Sequence, residues 1–187
     1  MATWQVRSEM RVFAFDVEAR PGPWAGGDFT FRHMLSIAGV YEDDPEHPIY
    51  VGPGFRDRHL EKFVKNLKGT LVVTHNGPKY DLPFLNGTLI RYGLPSLGRV
   101  LISDTYAHLP RRGSAFSASL GNMAQRFEVE HQKGSMSEVD WDLAYNSDPL
   151  ALEKLRDYNI GDCHTTLALR TKLRALSLLA APRSYVY

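Results

Sequence analysis

The chain contains little of what marks several large protein classes. Its 187 residues include one cysteine, Cys163, which excludes an internal disulfide and a cysteine-rich zinc site. No apolar run approaches the length of a membrane span, and no secretory segment opens the sequence. We therefore expect a soluble, cytoplasmic protein without a membrane partner.

Charge of neither sign dominates the sequence. Lysine and arginine total 22 and aspartate and glutamate 21, so the formal net charge is +1. This balance neither demands nor excludes a nucleic-acid partner, which would require locally gathered positive charge. Hydrophobic residues make up 43% of the chain, enough for a buried core at this length. We expect a single domain, 1–187, with its core at about 11–176.

Hydrophobic periodicity predicts the order of the secondary structure. The first part reads as an antiparallel meander, with strands at 11–17, 34–41 and 49–51 and an acidic turn at 42–48. The second part alternates helices at 56–67, 83–92 and about 120–127 with strands at 71–73 and 100–102, followed by a polar loop at 130–140 and a helix from 149 toward 181. This order predicts an α/β fold whose mixed sheet, antiparallel and then parallel, is flanked by helices.

Two acidic residues stand at the end of the first predicted strand. Asp16 and Glu18 are two positions apart, so their side chains share one face, while Phe15 and Val17 face the opposite way into apolar packing. Carboxylates held this close repel each other unless a cation lies between them. The alternative is an ordinary solvated strand end.

A second pair lies on the last predicted helix. Tyr158 and Asp162 are four positions apart and share a helix face, which also suits an exposed hydrogen-bonded pair. Gly161 costs such a helix about 1 kcal/mol, which a close approach of backbone or ligand would explain.

Asp81 follows a strand and a Gly-Pro turn that should bring it to the edge where Asp16 and Glu18 emerge. Its alternative role is a helix N-cap. Asn76 could cap locally or bind a substrate sugar or phosphate.

These stretches, taken in order, resemble the motifs of one nuclease family. The motifs Asp16-Val17-Glu18, Asn76 to Asp81 and Tyr158 to Asp162 are similar to the three motifs of the DEDD (DnaQ-like) 3′–5′ exonuclease superfamily. The tyrosine marks its DEDDy branch, since the histidine branch would carry histidine where this chain has Asp157. The second motif resembles proofreading exonuclease domains of family B DNA polymerases, and residues 119–124 resemble the helix between the second and third motifs.

The resemblance implies an RNase H-like fold and a hydrolase that removes nucleotides from the 3′ end of single-stranded DNA. It also implies two divalent ions, Mg²⁺ or Mn²⁺, about 3.5–4 Å apart. Asp16 would bridge both ions, Glu18 and Asp162 would complete the one that holds the attacking water, and Asp81 would serve the other. Tyr158 would orient the nucleophile.

Substrate contacts are predicted on weaker signals. The Pro- and Gly-rich loop after Glu18 departs from the family pattern, and its Trp24 and Phe29 can stack on a terminal base or simply pack. Phosphate contacts, or a solvated surface instead, are expected of three basic residues: Arg111, Arg112 and Lys133.

Three alternatives remain open at this point. The same site would serve an exoribonuclease that processes RNA, the fold could carry a catalytically silent nucleic-acid-binding module, and an endonuclease of related fold is also possible. Because no polymerase domain follows in the sequence, we expect a free-standing exonuclease or one that proofreads in trans for a polymerase.

Overall fold

A computed structural model describes residues 10–19, 34–106, 118–130 and 134–187 of the chain. The six strands are β1 Val12–Ala19, β2 Met34–Tyr41, β3 Asp44–Val51, β4 Leu71–Thr74, β5 Arg99–Asp104 and β6 Arg183–Val186. The five α-helices are α1 Asp57–Val64, α2 Asp81–Arg91, α3 Leu120–Arg126, α4 Glu138–Tyr145 and α5 Pro149–Ala175. A short 3₁₀ turn, Lys65–Leu67, extends α1 to the end of the predicted helix.

The strands form one mixed sheet in the order β3-β2-β1-β4-β5-β6. The pairs β1–β2, β2–β3 and β5–β6 are antiparallel, whereas β1–β4 and β4–β5 are parallel. The predicted α/β fold, an antiparallel meander joined to parallel strands, is therefore confirmed.

Strand β1 lies at the centre of the sheet, and its alternating side chains pack on both faces. Phe13, Phe15 and Val17 are buried in a core that also contains residues of α1 and α2. The opposite face of β1 is turned toward α5, where Ala14 packs with Cys163 and Leu167. The predicted alternation, with apolar side chains on one face and the carboxylates on the other, is therefore confirmed.

Helix α5 is 27 residues long and covers one face of the sheet. It begins as predicted, because Asp148 accepts a hydrogen bond from the Ala151 amide and Pro149 occupies the first helical position. Two further apolar clusters attach α3 and α4 to this helix. One rigid element thus connects the sheet to most of the second half of the chain.

The structure departs most from the sequence prediction in four places, while the other elements differ by a few residues at their ends. Strand β3 begins at Asp44, so the acidic turn is shorter than expected. The two prolines within β3 are tolerated because β3 is an edge strand. The polar loop gives way to α4 at Glu138, since Ser137 and Asp140 form a capping box. Helix α5 ends at Ala175 rather than near Ala181.

The fourth difference is strand β6, which the sequence analysis missed and which lengthens the sheet beyond β5. Among the described residues, no helix is both long and apolar enough to cross a membrane.

Candidate active site

The carboxyl ends of the three parallel strands β1, β4 and β5 lie at the same end of the sheet. Asp16 and Glu18 lie near the end of β1, Asn76 follows β4, and Asp104 ends β5 beside Thr74 of β4. Ligand sites form at such edges because loops diverge there and leave a crevice. The crevice here is a cleft of about 260 Å³.

Helix α5 brings the third acidic residue to this edge. Asp162 is 1% exposed, and it faces the half-buried Asp16 and Glu18. One carboxylate oxygen from each of the three residues lies within 4.8 Å of the other two. The structure thus brings together acids that are 144 residues apart in sequence (Glu18 to Asp162).

Asp81 lines the same cleft but lies outside this group of three among the described residues. Its carboxylate accepts a hydrogen bond from the Val17 amide at 3.2 Å. Helix α2 begins at Asp81 itself, and Tyr80 at the cap position makes no side-chain cap hydrogen bond. The expected N-cap role of Asp81 is therefore wrong.

The electrostatic environment of Asp81 is unfavourable to negative charge. Burial raises the pKa of its carboxyl from 3.8 to about 7, and the nearby Asp104 and Asp162 act in the same direction. The hydrogen bond from Val17 opposes the shift but does not cancel it. Burial and the neighbouring carboxylates thus favour the protonated form of Asp81.

Another part of the cleft is lined by residues of the turn after β4. Asn76 has a φ of 69°, a left-handed conformation that asparagine tolerates better than most residues. Its backbone N–H donates to the Asp104 carboxylate at 2.7 Å. His75 is held by Thr105 at 2.9 Å and by the Ala118 carbonyl at 2.8 Å. These contacts hold the His75 ring in place and fix the turn from which Asn76 lines the cleft.

Tyr158 lines the cleft one helical turn before Asp162. The ring of Trp141 on α4 meets it edge-on, with 5.8 Å between ring centroids. Within the described part of the chain, a Cβ added at nearby Gly161 would meet no atom within 4 Å, so no close approach of protein backbone accounts for this glycine there.

Comparison with known proteins decides the family. The sequence matches the RNase H superfamily over residues 26–174. The chain belongs to this superfamily. Its structure is similar to the family B DNA polymerase from the hyperthermophilic archaeon Pyrobaculum calidifontis, with a TM-score of 0.66 and 21% sequence identity.

That similarity covers 88% of this chain but 24% of the polymerase chain, so the RNase H-like chain spans about a quarter of the polymerase. At this identity the likeness shows the shared fold. No curated protein sequence matches the chain.

The donor set of this RNase H-like site suits hard divalent cations. Asp16, Glu18 and Asp162 offer only carboxylate oxygens, which are the ligands that Mg²⁺ and Mn²⁺ prefer. Cys163 is fully buried and is not a member of this group, and burial, followed by the nearby Asp16 and Asp162, raises the pKa of its thiol above its ordinary value. The three carboxylates are therefore consistent with divalent metal binding.

Sequence reasoning missed one side chain at the centre of the site. Asn159, fully buried on α5, donates to the Asp16 carboxylate at 2.8 Å and to the Asp16 carbonyl at 3.2 Å. It lies inside the motif from Tyr158 to Asp162, for which the sequence analysis predicted a role in the site only for the first and last residues. Its place within that motif, next to Tyr158, is the one sequence feature that points to it.

Some predicted substrate contacts lie outside the described residues. They are Trp24, Phe29, Arg111, Arg112 and Lys133.

Proposed function

We propose that this RNase H superfamily member is a metal-dependent 3′–5′ exonuclease that hydrolyses single-stranded DNA. The observation that supports this most strongly is the convergence of Asp16, Glu18 and Asp162 within 4.8 Å, in a cleft that Asp81 and Tyr158 also line. All five motif residues of the DEDDy pattern thus face one crevice. An accidental acidic patch would not include a fully buried carboxylate such as Asp162.

In this proposal the four carboxylates would hold two cations, Mg²⁺ or Mn²⁺. Asp16 would contribute to both, Glu18 and Asp162 to one, and Asp81 to the other. When bound, the cations would neutralise charge on the phosphate during in-line displacement and make water a stronger nucleophile. The charge crowding around Asp81 fits this assignment, because added positive charge would favour its ionised form.

Tyr158 would orient the attacking water through its hydroxyl. The edge contact with Trp141 restrains the direction of the phenol ring, which such positioning requires. Asn76, whose backbone N–H donates to Asp104, would contact the sugar or phosphate of the terminal nucleotide.

A single-stranded end is proposed as the substrate because the resemblance to the DEDD exonucleases implies one. DNA is proposed as the substrate because the structurally similar protein is a DNA polymerase. Action in trans with a polymerase belongs to the same proposal.

The test uses single-stranded oligonucleotides labelled at the 3′ or the 5′ end, with and without Mn²⁺. The proposed activity releases mononucleotide from the 3′-labelled strand and produces a shortening ladder from the 5′-labelled strand, only with the cation. Internal fragments would indicate an endonuclease instead. Parallel RNA strands decide between DNA and RNA.

Asp16→Asn is the informative variant, because it removes the negative charge with almost no change of shape. Asp43→Asn is the matched control, since Asp43 is exposed and paired with Arg11 at 2.7 Å, away from the cleft. We expect Asp16→Asn to lose at least about a hundredfold in rate, equivalent to roughly 3 kcal/mol of transition-state stabilisation. Equal activity of the two variants would refute the assignment.

A further inference from the structure

Asp16 is tied to helix α5 through a side chain that is not part of the acidic group. The Asn159 amide nitrogen donates to Asp16 Oδ2 at 2.8 Å and to the Asp16 backbone oxygen at 3.2 Å. The Asn159 amide oxygen accepts a hydrogen bond from Ser36 Oγ at 3.0 Å. Ser36 and Asn159 are both 0% exposed.

The orientation of the Asn159 amide follows from its partners. Both Asp16 atoms are acceptors, so the group facing them must be the NH₂, and rotating the amide would place its oxygen against two other oxygens. Ser36 then faces the amide oxygen and donates its hydroxyl proton. The direction of the chain, from Ser36 through Asn159 to Asp16, is therefore settled by chemistry.

The position of this chain in the fold links three elements. Ser36 lies on β2 opposite Glu18, Asp16 lies on β1, and Asn159 stands three residues before Asp162 on α5. Strand β1 and helix α5, which carry the three clustered carboxylates, are thus joined to each other and to β2 by three hydrogen bonds. A shift of α5 along the sheet would break them.

We propose that Ser36 and Asn159 form a positioning pair that fixes the Asp16 carboxylate for cation binding. Asn159 donates to Oδ2 and to the backbone oxygen of Asp16, which holds the carboxylate in one orientation relative to its own strand. Ser36 holds Asn159 in the donating orientation. This inference rests on the proposed function insofar as it concerns catalysis, but its cation-binding part can be measured without any substrate.

The first experiment compares Asn159→Ala with Thr165→Ala. Thr165 is the matched control, because it is also fully buried on α5 and its hydroxyl donates within the helix, to the Gly161 carbonyl at 2.8 Å. Calorimetric titration with Mn²⁺ gives the affinity of each variant, and thermal unfolding in EDTA gives its stability.

We expect Asn159→Ala to bind Mn²⁺ about 10–100-fold more weakly than the original chain, the usual effect of removing a group that orients a metal ligand. Thr165→Ala should keep the original affinity even though both variants lose stability. If both variants keep the original affinity, Asn159 has a packing role alone and the proposal is overturned.

The second experiment uses Ser36→Ala, a smaller change that also answers the question if Asn159→Ala does not fold. Loss of one neutral hydrogen bond to Asn159 should weaken Mn²⁺ binding by about 2- to 10-fold. Unchanged affinity in Ser36→Ala would overturn the role of Ser36. In the Asn159→Ala background, Ser36→Ala should have no further effect on affinity, whereas multiplied effects would show that Ser36 acts independently of Asn159 and refute the chain.

The exonuclease activity and the positioning pair are distinguished by different outcomes. If the protein binds Mn²⁺ and the affinities follow the expected order but no oligonucleotide is cut, the proposed exonuclease is wrong and the positioning pair stands. If the oligonucleotide is cut and Asn159→Ala cuts at the original rate with the original Mn²⁺ affinity, the positioning pair is wrong and the exonuclease stands. If the original chain binds no Mn²⁺, both are wrong.

Discussion

Replacing Asp81 by asparagine tests how the cleft carries its negative charge. The carboxyl of Asp81 is buried, accepts one hydrogen bond from the Val17 amide, and has a pKa raised to about 7, chiefly by burial. Asparagine keeps the shape and the acceptor oxygen but cannot ionise. The variant therefore isolates the free energy of burying this charge in the absence of cations.

The direction of the effect follows from proton linkage. Below pH 3.8, the ordinary pKa of the group, Asp81 is protonated in the folded and unfolded states alike, and its contribution to stability is fully present. Between about pH 4 and pH 7 the unfolded chain releases a proton that the folded chain retains, so the free energy of unfolding falls as pH rises. Above about pH 7 the loss is constant.

The size of the effect follows from the same shift. The pKa rises by about 3 units, from 3.8 to about 7, and each unit corresponds to about 1.36 kcal/mol. Ionising Asp81 should therefore cost the folded, cation-free protein roughly 4 kcal/mol. This is comparable to a large part of the total stability of a typical domain, which is about 5–15 kcal/mol.

Urea unfolding in EDTA at pH 4.5, 6 and 8 measures this contribution. We expect Asp81→Asn to gain stability relative to the original chain as pH rises, by up to roughly 3–4 kcal/mol at pH 8. Saturating Mn²⁺ at pH 8 should stabilise the original chain more than the variant, because the cation relieves a charge that asparagine lacks. If the free energy of unfolding in EDTA changed with pH in the same way for Asp81→Asn and the original chain, the pKa of Asp81 would not be raised in the folded state and the reasoning would be refuted.

Three further predictions concern single side chains. Tyr158→Phe should lower the rate constant for hydrolysis about 10- to 100-fold, because one hydrogen bond to the nucleophile is lost. The Mn²⁺ affinity measured by calorimetry should not change, because no cation ligand is removed. A changed affinity would instead place the phenol among the cation ligands. Gly39→Ala should destabilise the protein by about 1–3 kcal/mol in urea unfolding, because an added Cβ would overlap the ring of Phe13; a neutral result would mean that this ring moves freely. Gly161→Ala should stabilise the protein by about 0.5–1 kcal/mol, because the helix position has open space around it; loss of hydrolysis in this more stable variant would show that substrate occupies that space.

Local patterns predicted most of the fold because most elements satisfy their own periodicity. Strand β2 has the predicted bounds, and α1 with its 3₁₀ extension ends at Leu67 as expected. The end of α5 could not be found this way, because apolar residues continue past Ala175. Ser177 ends the helix with a φ of 55°, and the Leu178 amide bonds back to Leu173, a left-handed stop without the usual glycine.

Spacing predicts which side chains of the candidate site share a face, but it does not predict the contacts between distant elements. Spacing alone placed Asp16 with Glu18, and Tyr158 with Asp162, because two residues on a strand and four on a helix share a face. It could not show that Asn159 bonds to Asp16, which is 143 positions away, or that Ser36 supports Asn159 from 123 positions away. Such contacts depend on how β2, β1 and α5 pack, which no local pattern encodes.

The length of α5 has a consequence for how the protein opens. The helix carries Tyr158, Asn159 and Asp162 on a segment whose neighbours, including Leu155 and Leu169, are fully buried in separate apolar clusters. Small excursions that fray a terminus or lift a loop leave such a segment intact. Backbone amides around Asp162 should therefore exchange with deuterium only when the whole molecule unfolds, so that the cleft keeps its shape for as long as the chain is folded.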